Sequence, residues 1–325
     1  MKSDVAIEKP QQKVSVFKTI VGNQNFSIFC ILLGMCVALA FASPKFLNSS
    51  NLFSVARAFS YIAIMAIGEC MVIITGGIDL SIGSVFGLAG VISTMAMTKW
   101  GMGIVVSIFV GLAVAALVGL INGLMITKVK LPPFIATLGM LSIARGTCFV
   151  LTRGYPIIFL PEKFLVLGQG YFGIIPIPVI LMLVLILLFT ILLKRTVFGR
   201  RVYALGGNEE ATRVSGVNVD RLKLTVYCLS GTLAGFAGII TASRLGVGQA
   251  VAGTGYEMDA VAAVIIGGAS LSGGRGTMSG MLIGAAIMGV LNNALVLLSV
   301  SAYWQQIVIG CVIIIAVTVD QLRKK

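Results

Sequence analysis

The sequence predicts an all-α polytopic membrane protein of about ten transmembrane helices (roughly eight to ten), with both termini in the cytoplasm. Three observations predict it. Of 325 residues, 58% are hydrophobic and only 11% are charged, whereas a soluble surface is roughly a quarter or more charged residues. Apolar runs of about 20 residues, the length that crosses a bilayer core, recur along the chain. The basic residues gather in the few polar stretches between those runs. So much apolar surface also excludes a disordered chain. The 39 glycines are well above the average usage of roughly 7%.

Taken in order, Met1 to Asn25 is polar and mixed in charge. It is too long for a signal peptide's n-region, and no small-residue cleavage site follows closely, so residues 1–25 read as a retained cytoplasmic tail. A single transmembrane domain follows over 26–319, and residues 320–325 form a cytoplasmic C-terminal tail. Within the domain, spans are expected near 26–43, 58–75, 81–98, 103–127, 134–152, 175–193, 224–243, 258–272, 277–299 and 302–319. Pro178 to Leu193 and Tyr303 to Val319 carry no charge, whereas 258–272 is short and Gly-interrupted. The spacing of Gly280, Gly284 and Gly289 points to close helix packing.

Charge sidedness tests this order. With the N-terminus inside, the inner segments hold Lys2, Lys9, Lys13, Lys18, Lys128, Lys130, every basic residue from Lys194 to Lys223, Arg275, Arg323, Lys324 and Lys325. The outer segments hold only Lys45, Arg57, Lys99, Arg153, Lys163 and Arg244. That asymmetry follows the positive-inside rule. The net charge of +13 is therefore read as topology and not as nucleic-acid binding. There is no histidine, which removes the commonest metal ligand and general base. Cys30, Cys36, Cys70, Cys148, Cys228 and Cys311 form no C-x-x-C pair and read as apolar helix residues, so no metal site is expected.

The longest non-membrane stretch, 194–223, is too short for a nucleotide-binding domain. The chain has no Gly-Lys dipeptide, so no P-loop is present. If ATP is used, the ATPase is another chain. A weak internal echo relates Gly76-Gly77-Ile78-Asp79-Leu80-Ser81-Ile82-Gly83 to Gly267-Gly268-Ala269-Ser270-Leu271-Ser272-Gly273-Gly274. Duplication and chance both account for it.

Two segments and a set of polar residues carry chemistry. In the loop from Gly206 to Arg221, Asn208 is a suitable N-cap, Glu209 and Glu210 suit a first turn, and Gly216 suits a C′ position. This predicts a helix of about two turns, bounded beyond Gly216 by Asn218-Val219-Asp220. Such a helix either docks on a cytoplasmic partner or anchors the loop at the membrane surface. In the second segment, Thr75 to Ser84, two glycines break a span ahead of Asp79. A broken helix at membrane depth can hold a substrate or ion site. Because the turn falls at the cytoplasmic side, the favoured reading is a surface turn with Asp79 as N-cap. Glu69 and Arg145 are charges within spans, and Asp259 lies near a helix end. Glu69 and Arg145 either pair with each other or face a pathway. Asn122, Thr137, Asn292, Asn293, Gln305 and Gln306 either offer hydrogen bonds to a polyol or glue helices together.

Taken together, these segments resemble a known family. Asn208 through Gly216 resembles the coupling motif of ATP-binding-cassette (ABC) importer permeases: Glu-Ala-Ala, three residues, then Gly. Here it reads Glu210-Ala211-Thr212-Arg213-Val214-Ser215-Gly216, with Thr212 in place of the second Ala. Gly76 through Ser84 resembles the G-G-I-D-L-S-x-G-S signature of the sugar branch. Leu131 to Met140 with Ser142 to Gly146, Gly253 to Ala260, and Gly267 to Leu271 are also similar to that branch. The motifs lie in the same order over about residues 45–320. Tyr203 to Glu209 and Leu291-Asn292-Asn293 are most similar to the ribose-transporting members, from which Glu69 departs where they carry an uncharged residue.

The resemblance implies a permease subunit of an importer in the bacterial inner membrane, passing a monosaccharide, D-ribose first. Xylose, arabinose, allose and autoinducer-2 are the alternatives. Its implied partners are an ABC ATPase subunit, a periplasmic sugar-binding protein, a second copy of the permease as a homodimer, and the lipid bilayer. No nucleic acid is implied. This chain would hold no cofactor and no catalytic residue, since ATP and Mg bind to the partner. Coupling falls to Asn208, Glu209, Glu210, Ala211, Thr212, Arg213, Gly216, Val219 and Asp220. The pathway candidates are Glu69, Asp79, Ser81, Asn122, Thr137, Arg145, Asn292 and Asn293. The rivals are an ion-coupled secondary transporter using Glu69, Asp79 and Asp259, a membrane enzyme, and a passive channel. The coupling motif argues against the first. The lack of a nucleophile–base pair argues against the second.

Overall fold

An apolar run in lipid must pair its own backbone groups, and a helix does so within one segment. The computed structural model of the chain describes residues 24–322, and each predicted run contains a helix there. The first are α1 (Gln24–Ala42), α2 (Ser49–Ile74), α3 (Ile82–Thr98), α4 (Ile104–Thr127) and α5 (Pro133–Thr152). A short helix, α6 (Glu162–Gln169), leads to an antiparallel hairpin of β1 (Tyr171–Phe172) and β2 (Ile175–Pro176), paired Tyr171 to Pro176. Then come α7 (Ile177–Arg195), α8 (Val197–Gly207), α9 (Glu209–Val214) and α10 (Val219–Leu245). The last are α11 (Tyr256–Ile266), α12 (Met278–Leu297) and α13 (Ala302–Leu322). The tail predicted at 1–25 lies almost wholly outside the described residues, as do residues 323–325.

Among the described residues, 7 helices are long and apolar enough to cross a membrane: α1, α2, α4, α5, α7, α10 and α12. The chain is a multi-pass, helical membrane protein. Ile82–Thr98 and Tyr303–Ile315 are shorter apolar helices. The expected span at 258–272 is corrected. Helix α11 has 11 residues and stops at Ile266, because Gly267-Gly268 break it. At 1.5 Å per residue it covers about 16 Å, roughly half of a bilayer core.

Helix α2 lies at the centre, buried at every residue from Ser60 to Ile74. Helix α3 is buried from Ile82 to Met97. Helix α10 packs on α4, α3 and α2. The outer helices carry exposed apolar side chains such as Phe41, Phe109, Val150 and Leu187, as lipid-facing surfaces do. Between such helices the hydrophobic effect gives no drive, so small residues that admit close backbone contact decide the packing. A methyl group on Gly238 of α10 would overlap the Phe86 carbonyl oxygen of α3. The predicted packing role of Gly280, Gly284 and Gly289 holds. Methyl groups there would strike the Gly267 and Ala263 carbonyl oxygens and the Phe59 side chain.

The echoed segments have the same local build. Gly76 and Gly268 are left-handed, with φ of 81° and 88°. Gly76 N donates to Ile73 O (2.9 Å) and Gly77 N to Val72 O (3.0 Å). Gly268 N donates to Ile265 O (2.9 Å) and Ala269 N to Val264 O (3.1 Å). Each turn is a Schellman motif that ends a helix. The two regions also touch, through Gly274 N to Ile74 O at 2.8 Å. All six cysteines are free.

Gly238→Ala is expected to destabilise the detergent-solubilised protein by about 1–3 kcal/mol, the usual cost of overpacking. Gly34→Ala, where no atom lies within 4 Å of the added carbon, is expected to be neutral or slightly stabilising. Thermal unfolding of both variants reads the difference.

Candidate functional site

The loop between α7 and α10 is built from its caps. Asn208 leaves helical geometry at φ −161°, ψ 108°, and its Oδ1 accepts from Ala211 N at 2.9 Å. This starts α9 as predicted. Eight residues after Asn208, Gly216, at φ 83°, ends it, with Gly216 N donating to Arg213 O and Val217 N to Thr212 O. Asn218 then caps α10, accepting from Arg221 N at 2.9 Å. Thr212 is buried and donates to Asn208 O (2.7 Å). Glu210 and Ala211 are exposed, and Val214 is 84% exposed. One turn of helix therefore presents a small, partly apolar face outward.

Charge pairing fixes how this turn sits. Glu209 binds Arg213 (3.1 Å) and Lys223 of α10 (2.7 Å). Asp220 of α10 lies 3.6 Å from Lys128, 3.8 Å from Lys130 and 3.7 Å from Arg213. Exposed pairs contribute little one by one, but these tie α9, the start of α10 and the end of α4 into one register. Val219 is buried beneath them. Burial raises the pKa of the Glu209 carboxyl. The bonds and charges of Lys223 and Arg213 outweigh that and hold it below its ordinary value of 4.5.

Helix α8 seats the loop on the core. A methyl on Gly206 would overlap the Ile74 carbonyl oxygen and strike Gly274 N, so the backbone of α8 lies directly on both broken-helix regions. The Tyr203 hydroxyl donates to Gly276 O at 2.8 Å. The sequence placed Tyr203 and Gly206 in a motif but gave no hint of this seat.

Beneath it lies a buried polar hub. Asp79 is fully buried, which corrects the reading of a surface turn with Asp79 as N-cap. Ser81 holds the N-cap position of α3, and Asp79 Oδ1 accepts from both Ser81 N (3.0 Å) and Ser81 Oγ (2.6 Å). Asp79 N donates to Glu69 Oε1 (3.2 Å), and Ser230 Oγ of α10 donates to Asp79 Oδ2 (3.3 Å). Asn122 of α4 donates to Ser81 Oγ (2.8 Å), and Thr137 of α5 to Ile78 O (3.3 Å). Five of the pathway candidates thus meet at one turn. Glu69 Oε2, Asn122 Oδ1 and the Tyr227 hydroxyl, all buried, have no partner among the described residues, so the hub keeps spare hydrogen-bonding capacity. Sequence reasoning missed Ser230 and Tyr227, which stand three residues apart in a span that also holds Thr225, Thr232, Thr241 and Ser243.

The other three candidates lie elsewhere. Arg145 does not pair with Glu69. Its guanidinium donates to the carbonyl oxygens of Ala250 (2.5 Å), Ala252 (2.7 Å) and Gly83 (3.2 Å), binding the chain ahead of α11 to the start of α3. Asn293 exchanges amide bonds with Asn51 of α2 (2.9 and 3.1 Å), which is helix glue. Asn292 faces Asp259 of α11. Among the described residues no His/Cys/Asp/Glu group is arranged to hold a metal ion.

Comparison with known proteins identifies relatives of the chain. Residues 51–317 match the family described as the branched-chain amino acid transport system permease component. The chain is 44% identical to the ribose import permease protein of Bacillus subtilis (strain 168) over 93% of this chain and 94% of that one. The ribose import permease protein of Escherichia coli (strain K12) is also 44% identical, over 90% of this chain and 92% of the other. The L-arabinose ABC transporter permease protein of Azospirillum brasilense is 33% identical over 99% and 94%. No solved structure matches the chain significantly.

Because the native pKa of Glu209 lies below its unfolded value, its pairing stabilises the loop above that unfolded value and is lost as pH falls through the native one. Hydrogen-exchange protection of residues 208–216, corrected for intrinsic rates, is expected to hold at neutral pH and fall below about pH 4.5. In Glu209→Gln it is expected to be lower at neutral pH and to lose that step.

Proposed function

The chain belongs to this permease-component family, among its sugar permeases, and we propose that it is the membrane subunit of an ATP-driven ABC importer for a monosaccharide, D-ribose first. In this reading a pair of identical chains forms the pathway in the bacterial inner membrane. Each chain contributes about ten membrane-embedded segments, with both termini in the cytoplasm. A periplasmic sugar-binding protein delivers the substrate, and an ABC ATPase, which binds ATP and Mg, docks on the cytoplasmic loops.

One observation carries the reading. The outward face of α9, with Glu210, Ala211 and Val214 exposed, stands on a seat where Gly206 meets Ile74 and Gly274. A push on α9 therefore reaches the ends of two broken helices across the single capping residue Asn208. Helices α4 and α10 make a second link. Asp220 pairs with Lys128 and Lys130 at their cytoplasmic ends. Asn122 and Ser230, further along the same helices, hold the Asp79 turn. Partner binding that favours one position of α9 thus biases the arrangement of the turn, which is the coupling that alternating access needs.

Selectivity sits largely with the binding protein in this reading. The polar groups of the hub are buried and mostly bonded to one another, which supports weak direct binding of sugar by the isolated chain. Relatives named for arabinose, xylose and galactose make other monosaccharides the alternative cargo.

The test is uptake of radiolabelled ribose into proteoliposomes holding this chain, its ATPase and the sugar-binding protein. Uptake is expected only with all three components and ATP on the ATPase side. Hydrolysis stimulated by the binding protein without ribose uptake moves the assignment to another sugar. Uptake driven by an ion gradient without the ATPase overturns it. Gly216→Trp, which forces a side chain onto a left-handed residue, is expected to lower uptake about tenfold or more while membrane insertion and ATP hydrolysis persist.

A further inference from the structure

Away from the hub, a cavity of about 710 Å³ opens between α8 and the start of α12. Its wall includes Lys194 at the end of α7, Arg200 and Tyr203 of α8, and Arg275, Gly276 and Thr277 ahead of α12. No carboxylate lines it. Among the described residues Lys194, Arg200 and Arg275 take part in no ion pair. Lys128, Lys130, Arg213 and Lys223 each reach Glu209 or Asp220, whereas Arg195, Arg201 and Arg221, like the three cations of this wall, take part in no ion pair among the described residues. Lys194, Arg200 and Arg275 stand out in sharing the wall of one cavity that no carboxylate enters.

The backbone adds to the same sign. The 20-residue helix α12 begins at Met278, so the positive end of its dipole borders the cavity. The N–H groups of Arg275 and Gly276 have no acceptor among the described residues. In the segment carrying them, Gly273 and Gly274 are left-handed and Gly276 O accepts from the Tyr203 hydroxyl. Two guanidinium groups, an ammonium and backbone amides around one space match the oxygens of a phosphate.

The level of the site within the membrane narrows the ligand. The apolar runs of α7 and α12 end or begin at the cavity wall, and Asn25 at the start of α1 also lines it. Three span ends at one level place the cavity where the hydrocarbon gives way to headgroups, on the basic side of the protein. We propose that this cavity is a binding site for a phosphate group, and that an occupant there joins α8 to α12.

A lipid headgroup and a free phosphate share this chemistry, and one titration separates them. The full-length chain in neutral detergent is titrated with short-chain phosphatidylglycerol, phosphatidylcholine or inorganic phosphate, and adducts are read by native mass spectrometry. Phosphatidylglycerol is expected to bind the native chain about tenfold or more tightly than the Arg200→Gln/Arg275→Gln variant, the effect of losing charge-assisted hydrogen bonds. The Lys99→Gln/Lys163→Gln variant, altered at distant sites, is expected to bind like the native chain. Persistence of the lipid adduct in millimolar phosphate identifies a headgroup site. Displacement, or a phosphate adduct that the glutamine pair abolishes, identifies a free phosphate site. Equal lipid binding by all three proteins with no phosphate adduct overturns the proposal. Should the glutamine pair not fold, equal affinity of the native chain for phosphatidylglycerol and phosphatidylcholine at low salt overturns it equally.

Discussion

A carboxylate buried at a break between two membrane helices must find its hydrogen bonds inside the protein, and much of this structure follows from how Asp79 does so. The Gly76-Gly77 break ends α2 and frees backbone groups that lipid cannot satisfy. Asp79 closes the turn locally through Ser81 and is held from outside by Ser230. Its own N–H goes to Glu69. Each partner sits on a different element, and Asn122 of α4 bonds Ser81, so the turn fixes the mutual positions of α2, α3, α4 and α10. The close backbone contacts of α10 with α4 and α3 then complete a rigid centre.

The same centre is the floor of the loop that carries α9. Gly206 rests on the last turn of α2 and on Gly274 of the second broken region. The two breaks share one hydrogen-bond pattern and touch each other. A helix of six residues at the surface is thereby connected, across Asn208 and the packed backbone at Gly206, to both interruptions of the membrane core. Such stiffness is what mechanical coupling requires, because displacement is transmitted only where nothing between the ends can relax.

Much of this was legible in the sequence. Asn208 and Gly216 announced α9 because caps act locally, through a side chain reaching three residues ahead and a glycine free to turn left-handed. The glycines of α12 announced close packing for a similar reason. Asp79 was misread because local chemistry alone allows it to cap a surface helix. Only tertiary packing, with Ser230 some 150 residues away, shows it buried. Arg145 was offered Glu69 as a partner by charge, yet it found carbonyl oxygens made available by the irregular chain before α11. The predicted span at 258–272 failed because its composition stays apolar past Gly267-Gly268, while the backbone does not stay helical. Val214 stood in plain view as an apolar residue in a polar loop, four residues after Glu210 and so on the same face.

That outward face is the point on which the account rests. The most direct measurement places the photo-crosslinking residue benzoylphenylalanine at Val214 in the chain co-expressed with its ATPase, and at Phe159, which is 90% exposed in the loop before α6, as the control. The account predicts a light-dependent adduct between this chain and the ATPase from Val214 and none from Phe159. An ATPase adduct from Phe159, or an assembled complex in which Val214 yields none, would contradict it.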